Sequence, residues 1–366
     1  MLLTLLAIAV IIQLIYYIFF YSRLADYKSL TATSSHLPPL SVIICAHDEV
    51  RRLQKNLPAV LEQKYPEFEV IVVNDQSNDD SEIVLMQLQL QYPHLQVRHI
   101  RNQTQHLRGK KYPLTIGMRA ARYNHVVLTD ADCAPASDHW LRDMAAGFAA
   151  GKDIVLGYAP YRKAPGLLNR FIRFETCFSA MQFLSFALAG FPYMGVGRNL
   201  AYRKQIFFDF NIYSKYPSLL SGDDDLLVNQ AAHAGNVAVQ INPSSFVYSP
   251  AKQTYEEFWH QKNRHVSTAR YYKLSHKVLL FMQPLTGLMI YVLFAMSWLN
   301  ASPYAIEATL MFLLWVLVQS TTFRTVARKL CEEDLARWLP ILYMLTLLYY
   351  IKLIPGAFFR KPTQWR

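Results

Sequence analysis

An apolar run that ends in two carboxylates constrains this chain more than any other feature. The residues His125-Val-Val-Leu-Thr129 are typical of a buried strand and lead directly into Asp130 and Asp132. Side chains alternate between faces only while a strand lasts, so beyond its end both carboxylates can turn toward one point. Two acids at the carboxyl end of a parallel strand favour a hard divalent cation that carries phosphate oxygens. Asp-X-Asp triplets are common by chance, and the neighbouring segments therefore decide what this one means.

The segment from 38 to about 161 alternates short apolar runs with amphipathic stretches. Strand-helix alternation at this spacing predicts an α/β domain with a mainly parallel sheet and helices on both faces. Ligands of such sheets bind beyond the carboxyl ends of the strands. The predicted strands are 41–46, 68–74, 96–100, 125–129 and 153–158, and the predicted helices end near Gln63 or span 80–92 and 110–123.

Carboxylates follow three of the first four predicted strands. The first strand ends in His47-Asp48-Glu49, the second in Asn74-Asp75 and the fourth in Asp130. A single Asp at such a turn is often only a helix N-cap, but three acidic ends make capping alone a poor explanation. Arg108-Gly-Lys-Lys111 opens the helix before the fourth strand, where lysines oppose the helix dipole and suit a phosphate partner.

The amino-terminal stretch Leu2–Tyr21 is apolar over about the length of a bilayer core. It has no basic segment before it and no small-residue cleavage site, which favours a membrane anchor over a cleaved signal peptide. Arg23 and Lys28 follow it and place the next domain in the cytoplasm by the positive-inside rule. With 52% hydrophobic and 17% charged residues, the composition predicts a soluble domain combined with membrane spans.

Further apolar stretches near the carboxyl terminus predict about three more spans. A full crossing by the last stretch would place Arg360 and Lys361 outside, against the positive-inside rule, so a re-entrant or tilted helix is the alternative. The three stretches are Val278–Leu299, Tyr304–Thr322 and Leu339–Phe359. The predicted organisation is an anchor over 1–22, a cytoplasmic domain over 38–275 and a membrane region over 278–359.

The net charge of +11 fits a basic surface beside anionic lipid head groups, and it also fits phosphate-bearing substrates. The basic residues are scattered and lie beside membrane spans, which argues against nucleic acid as a partner. The four cysteines have no spacing typical of disulfides or metal sites, and a cytoplasmic domain keeps them reduced.

The order of these motifs resembles the inverting glycosyltransferases of family 2, which have a GT-A, Rossmann-like nucleotide-sugar domain. More narrowly, it resembles the membrane-integrated branch that contains cellulose, chitin and hyaluronan synthases and ceramide glucosyltransferase. The resemblance covers roughly Leu40 to Arg270 and the layout of the spans. It matches Gly109-Lys110 to the family's Gly-Lys pair on the donor side. It assigns the acids at the strand ends as follows: Asp48, Glu49 and Asp75 hold the nucleoside, and Asp130 and Asp132 bind Mg²⁺ or Mn²⁺ on the donor diphosphate.

Three consecutive acids at 223–225 precede a predicted helix over 226–234. Adjacent carboxylates repel one another and favour raised pKa values, and an inverting transfer needs one base to take the proton of the acceptor hydroxyl. The family's Glu-Asp pair corresponds here to Asp-Asp, and the alignment can shift by one residue. We predict Asp224 as the base, with Asp223 as the alternative.

The segment Gln261-Lys-Asn-Arg264-His265 occupies the place of the family's Gln-X-X-Arg-Trp motif. The resemblance implies that Arg264 reaches the diphosphate and that Gln261 reaches the acceptor sugar. A surface helix without substrate contacts is the alternative. His265 replaces a Trp that normally offers an apolar face to a sugar ring. This replacement disfavours long-chain polymer synthesis and favours transfer of one or a few sugars to a lipid or lipid-linked acceptor.

Three segments of the second half are expected to surround the active site. An interfacial helix pair is predicted over 166–191 and a membrane-surface helix over 256–273, because both are apolar yet carry charges. The glycine-rich segment Gly190–Arg203 is expected to line the acceptor cleft and to end in a strand at Tyr202-Arg203. For 166–191 the alternative is an ordinary domain core, and for 190–203 it is an irregular packed loop.

The sequence therefore predicts a multi-pass membrane glycosyltransferase of a bacterial inner membrane. It would use a cytoplasmic UDP- or GDP-sugar, a lipid or glycan acceptor and bound membrane lipids. The alternatives are a processive polysaccharide synthase of the same family and a catalytically inactive membrane scaffold or transport subunit. A nucleotidyltransferase is disfavoured, because the first strand-to-helix turn, Ala46–Glu49, is acidic and lacks glycine.

Overall fold

The computed structural model describes residues 1–31, 37–101, 109–211, 215, 219, 222, 224–301 and 303–359, with side chains up to 353. Its strands are β1 (Leu40–Ala46), β2 (Phe68–Asp75), β3 (Leu95–Ile100), β4 (His125–Asp130), β5 (Ala134–Pro135), β6 (Ile154–Gly157), β7 (Leu200–Arg203), β8 (Val237–Gln240) and β9 (Val247–Tyr248). Within this part of the chain, seven strands form one sheet in the order β3-β2-β1-β4-β7-β6-β8, and β5 pairs with β9.

The helices of the domain are α2 (Val50–Leu61), α3 (Ser81–Gln91), α4 (Lys111–Ala120), α5 (Trp140–Ala149), α6 (Leu167–Leu188), α7 (Lys204–Phe210), α8 (Asp225–Ala231) and α9 (Tyr255–Val266). The apolar helices outside it are α1 (Leu2–Asp26), α10 (Leu274–Leu299), α11 (Ala305–Lys329) and α12 (Leu339–Phe359). The mainly parallel α/β architecture and the first four strands are confirmed, with boundaries that move by one or two residues.

The register of the parallel strands brings the predicted acidic ends to one edge of the sheet. Strand β1 pairs in parallel with β2 and β4, and Cys45 lies opposite Asp130 while Ala46 lies opposite Asn74. These strands are apolar on both faces because helices cover both sides of the sheet. Strand β7 runs antiparallel between β4 and β6 and ends at Arg203, as predicted.

Two details of the helices differ from the predictions. Residues Leu167–Leu188 form one helix of 22 residues, so the predicted helix pair over 166–191 is wrong. Its charges do not mark a break in the helix, because Arg173 is buried in ion pairs with Glu332 and Asp334. The helix predicted over 256–273 is shorter than expected, since α9 ends at Val266 and a 3₁₀ turn follows at Ala269–Tyr271.

The helices α1, α10 and α11 are long and apolar enough to cross a membrane. Buried polar side chains join them, since the Gln13 amide donates to the Thr286 hydroxyl (2.8 Å) and the Gln319 amide donates to the Tyr17 hydroxyl (2.8 Å). Interhelical hydrogen bonds of this kind hold membrane helices together. Whether α12 also crosses the membrane stays a prediction.

Helix α1 is tied to the sheet domain by the segment that follows it. The Tyr27 hydroxyl donates to the carbonyl of Val239 at 2.9 Å, and the Gln240 amide donates to the carbonyl of Leu30 at 3.0 Å. Lys329, at the end of α11, donates to the carbonyl of Tyr27 at 2.6 Å. Strand β8 at the sheet edge is therefore joined to two of the apolar helices.

Candidate active site

A cleft of about 520 Å³ opens at the carboxyl ends of β1, β2 and β3. Its polar walls suit a group that offers both donors and acceptors, such as a base and a ribose. The side-chain amide nitrogen of Asn74 contacts the His99 ring at 3.4 Å. The Ser77 hydroxyl donates to the side-chain oxygen Oδ1 of Asn74 at 2.5 Å. The lining residues are His47, Asn74, Gln76, Ser77, Asn78, Glu82, His99, Ile100 and Arg101.

The predicted nucleoside-binding acids lie next to this cleft. In the described part of the chain, they are not among the residues that line it. Asp48 has a left-handed backbone (φ 53°), and its carboxylate accepts from the Asn78 N–H at 2.7 Å. Glu49 accepts two hydrogen bonds from Arg52, at 2.8 and 2.7 Å. Asp75 is buried at the end of β2, and its carbonyl contacts the His47 ring. These contacts tie the two strand-end loops together.

The acidic triplet after β4 has the donor set of a hard-cation site. Asp130, Asp132 and Cys133 offer ligand atoms that all lie within 4.8 Å of one another. Burial, together with the negative charges of Asp132 and Asp130, raises the pKa of the Cys133 thiol well above its ordinary value. A thiolate is a soft ligand, and hard divalent cations prefer oxygen ligands. Two carboxylates are the donors that Mg²⁺ and Mn²⁺ prefer, so the residues present fit either ion.

Positive side chains surround this carboxylate pair. Lys110, at the start of α4, forms an ion pair with Asp130. Desolvation raises the pKa of Asp130, but the charge and hydrogen bond of Lys110 outweigh it and hold this pKa below its ordinary value. The guanidinium groups of Arg198 and Arg264 act in the same direction. Three cations around two carboxylates make the site attractive to an anion such as a diphosphate.

Two of the three consecutive acids have distinct environments. The Asp224 carboxylate is partly exposed and accepts from the N–H of Gly197 at 2.7 Å and of Asp225 at 2.8 Å. The buried Asp225 carboxylate instead accepts from the hydroxyls of Thr268 and Tyr272, the latter at 2.7 Å. Asp225 is therefore committed to holding structure, whereas Asp224 is accessible to a substrate. Asp223 lies outside the described residues.

Helix α9 brings the predicted Gln-X-X-Arg motif near the carboxylate pair. A capping box of Thr254 and Glu257 begins the helix. The Gln261 amide donates to the Tyr161 hydroxyl at 3.2 Å, and the Tyr161 ring lies 4.4 Å from the Arg198 guanidinium. Because Arg264 acts on the charge of Asp130, both motif residues are joined to the carboxylate pair.

The residue His265 has exposed surface, but its imidazole ring packs near Arg264, Lys262 and Arg198. Desolvation lowers its pKa well below the ordinary value, and the charges of Arg264 and Lys262 lower it further. A neutral imidazole follows, which can accept or donate a hydrogen bond but adds no positive charge to the cleft.

Several residues at this site were not predicted from the sequence. Arg198 was noted only as the arginine of a glycine-rich segment, and Lys262 only as part of a motif. Tyr161 stacks under Arg198, and Glu175 forms a buried ion pair with Lys262. The sequence feature that could have identified Arg198 and Glu175 is a charged residue inside an otherwise apolar segment.

Comparisons with known proteins agree with this geometry. The family described as glycosyl transferase family 2 matches residues 41–208. A probable glycosyltransferase, YdaM, of Bacillus subtilis is 26% identical over 271 residues, which are 67% of this chain and 60% of that protein. A poly-beta-1,6-N-acetyl-D-glucosamine synthase of Staphylococcus epidermidis is 30% identical over 128 residues, which are 33% of this chain and 29% of that protein. The chain thus matches less than two thirds of the length of these relatives.

A similar solved structure is the mannosyltransferase PcManGT from Pyrobaculum calidifontis in complex with GDP-Man and Mn²⁺. The similarity covers 93% of this chain and 99% of that chain, with a TM-score of 0.58 and 18% sequence identity. This likeness establishes the fold, which is the GT-A fold.

Proposed function

We propose that this chain, which carries a glycosyl transferase family 2 domain at residues 41–208, is a membrane-bound inverting glycosyltransferase. It moves a sugar from a UDP- or GDP-sugar to a lipid, lipid-linked or growing glycan acceptor. One observation carries this proposal: the Gly197 N–H donates to Asp224 at 2.7 Å, and the adjacent Arg198 lies near enough to Asp130 and Asp132 to respond to their charges. A cation site and a carboxylate base close to each other are what a direct sugar transfer requires.

The donor side consists of the strand ends and one residue of α9. Asp48, Glu49 and Asp75 support the cleft that accepts the nucleoside. Lys110 and Arg264 hold the diphosphate, and Asp130 and Asp132 would hold Mg²⁺ or Mn²⁺. When bound, the ion offsets negative charge on the diphosphate leaving group. The GDP-Man and Mn²⁺ of the Pyrobaculum mannosyltransferase support this class of donor and cofactor.

Asp224 serves as the base. Its carboxylate takes the proton of the acceptor hydroxyl while that oxygen attacks the anomeric carbon from the side opposite the diphosphate. The new C–O bond forms as the bond to the diphosphate breaks, and the diphosphate leaves with the electron pair. The N–H groups of Gly197 and Asp225 keep the carboxylate oriented. Asp223 is the alternative base.

The acceptor side is formed by Gln261 and His265. A small neutral imidazole offers less stacking surface than the Trp of the family motif, which favours transfer of one or a few sugars over long polymers. Three candidate spans support a membrane location. In the proposed organisation, 1–22 is the anchor, 38–275 is a cytoplasmic domain and 278–359 is a membrane region, in a bacterial inner membrane.

Transfer from labelled sugar nucleotides by the detergent-purified chain tests this function. With Mn²⁺ or Mg²⁺ and a lipid extract as acceptor, we expect turnover of a UDP- or a GDP-sugar and complete loss of turnover on chelation of the metal. Asp132→Asn and Asp224→Asn abolish turnover, while Asp209→Asn, at an exposed site, preserves it.

Full activity of Asp132→Asn or Asp224→Asn would contradict the corresponding role. If Asp223→Asn loses turnover while Asp224→Asn keeps it, the base is Asp223. Failure of the wild-type chain to turn over any sugar nucleotide would contradict the function itself. Mass spectrometry of the labelled product identifies the acceptor and the number of sugars added.

A further inference from the structure

The three residues Gly197-Arg198-Asn199 connect parts of the site that lie far apart in sequence. The Gly197 N–H donates to Asp224 at 2.7 Å, and a Cβ at Gly197 would lie 3.2 Å from the same carboxylate oxygen. Glycine therefore lets the backbone approach the base closely. The Arg198 side chain acts on the charges of Asp130 and Asp132, at the other end of the proposed reaction.

Asn199 fixes this segment to the core of the sheet domain. Its side chain is fully buried, accepts from the Trp140 indole at 2.9 Å, and donates to the carbonyls of Tyr158 and Ser245 at 2.8 and 2.9 Å. Both the oxygen and the nitrogen of the Asn199 side-chain amide are therefore hydrogen-bonded within the buried core. The backbone on either side of Arg198 is held in place before any ligand arrives.

The contacts of the Arg198 guanidinium leave it able to bind an anion. It donates to the Ser249 hydroxyl and lies 4.4 Å from the centre of the Tyr161 ring. Among the described residues, no carboxylate forms an ion pair with it. A hydroxyl and a ring face orient a guanidinium without neutralising it, and a forked group of five donors matches the oxygens of a phosphate.

We propose that Arg198 binds the diphosphate of the nucleotide-sugar donor and stabilises it as a leaving group. This inference rests on the proposed function. Asp130 and Asp132 provide negative charge near Arg198 only until a divalent cation binds them, and the guanidinium then requires another anion. As the bond between the sugar and the diphosphate breaks, the electron pair passes to a phosphate oxygen, where charged N–H donors act most strongly. One short segment thus orients the base and holds the leaving group.

Binding of product nucleotides tests this role without measuring turnover. Calorimetry compares UDP, UMP and uridine, and GDP, GMP and guanosine, in Mn²⁺ and again in chelator. The variants are Arg198→Gln, Arg198→Lys and the control Arg203→Gln, which removes a half-exposed arginine from the end of β7. A charge-assisted hydrogen bond is worth about 1.5–3 kcal/mol, which corresponds to roughly 10- to 100-fold in affinity.

We expect Arg198→Gln to weaken diphosphate binding by about 10- to 100-fold while nucleoside binding changes by less than about twofold. Arg198→Lys restores part of the loss, and Arg203→Gln has no effect. Equal diphosphate affinity in wild type and Arg198→Gln would overturn the inference. An equal loss for nucleoside and diphosphate would also overturn it, since Arg198 would then only support the fold. If the wild-type chain binds none of the nucleotides, the proposed function fails instead.

Discussion

The buried ion pair between Lys262 and Glu175 gives a sharp test of how α9 is held. The Glu175 side chain is 3% exposed and the Lys262 side chain is 14% exposed, so water compensates neither charge well. Lys262→Met leaves the Glu175 carboxylate buried without its partner. Breaking such a pair from one side costs about 3–5 kcal/mol. For a domain of this size, we expect the midpoint of thermal unfolding in detergent to fall by about 10 °C.

The double variant Glu175→Gln/Lys262→Met removes both charges and should recover more than half of this loss, because no uncompensated charge remains. Glu256→Gln is the matched control, since the Glu256–His260 pair on the same helix is 85% and 74% exposed and exposed pairs contribute little. Tryptophan fluorescence during heating measures all four proteins. A wild-type midpoint in Lys262→Met, or a double variant no more stable than the single one, would refute the reasoning.

Two further substitutions test the core and a coupling to pH. Asn199→Ala removes the partner of the buried Trp140 indole N–H and of the Ser245 carbonyl, at about 1–3 kcal/mol each, and one of the donors to the Tyr158 carbonyl. The folded yield measured by size-exclusion chromatography should therefore fall severely, whereas Asn300→Ala, at an exposed site, keeps it. Burial raises the pKa of Glu332 to about 7 despite its contact with Arg173. Its contribution to stability is thus full below the ordinary pKa of 4.5 and is lost as the pH rises toward 7. As the pH rises from about 5 to about 8, the unfolding midpoint of Glu332→Gln should therefore increase relative to that of wild type. A difference between the two midpoints that does not change with pH would contradict this.

The sheet could be predicted because its strongest signals are local. The strands β1, β2 and β4 are continuous apolar runs bounded by polar turns, and such runs depend little on distant partners. Strand β8 and the two-residue strands β5 and β9 were missed, because short strands are defined by their pairing rather than by their own composition. For α6, the charges indicated an interfacial location, whereas Arg173 is buried against the distant partners Glu332 and Asp334.

The positions of the strand-end acids were predictable for the same reason, since each acid follows its own strand. Arg198 and Glu175 were not, because their roles depend on contacts with Ser249, Tyr161 and Lys262. Sequence spacing reports neighbours on one element but carries no information about which segments meet across the fold. The different environments of Asp224 and Asp225 could not be predicted for the same reason, since Thr268 and Tyr272, which bond only Asp225, come from a distant segment.

Helix α9 is held from three sides, and this bears on how the proposed acceptor reaches the proposed base. Lys262 ties it to α6, Phe258 stacks on Tyr349 of α12 at 5.6 Å, and the Thr268 hydroxyl just after it bonds Asp225. A shift of α12 or α6 would therefore move Arg264 relative to the carboxylate pair and would strain the contact that adjoins the base. We therefore expect the position of the apolar helices and the geometry of the proposed reaction to change together.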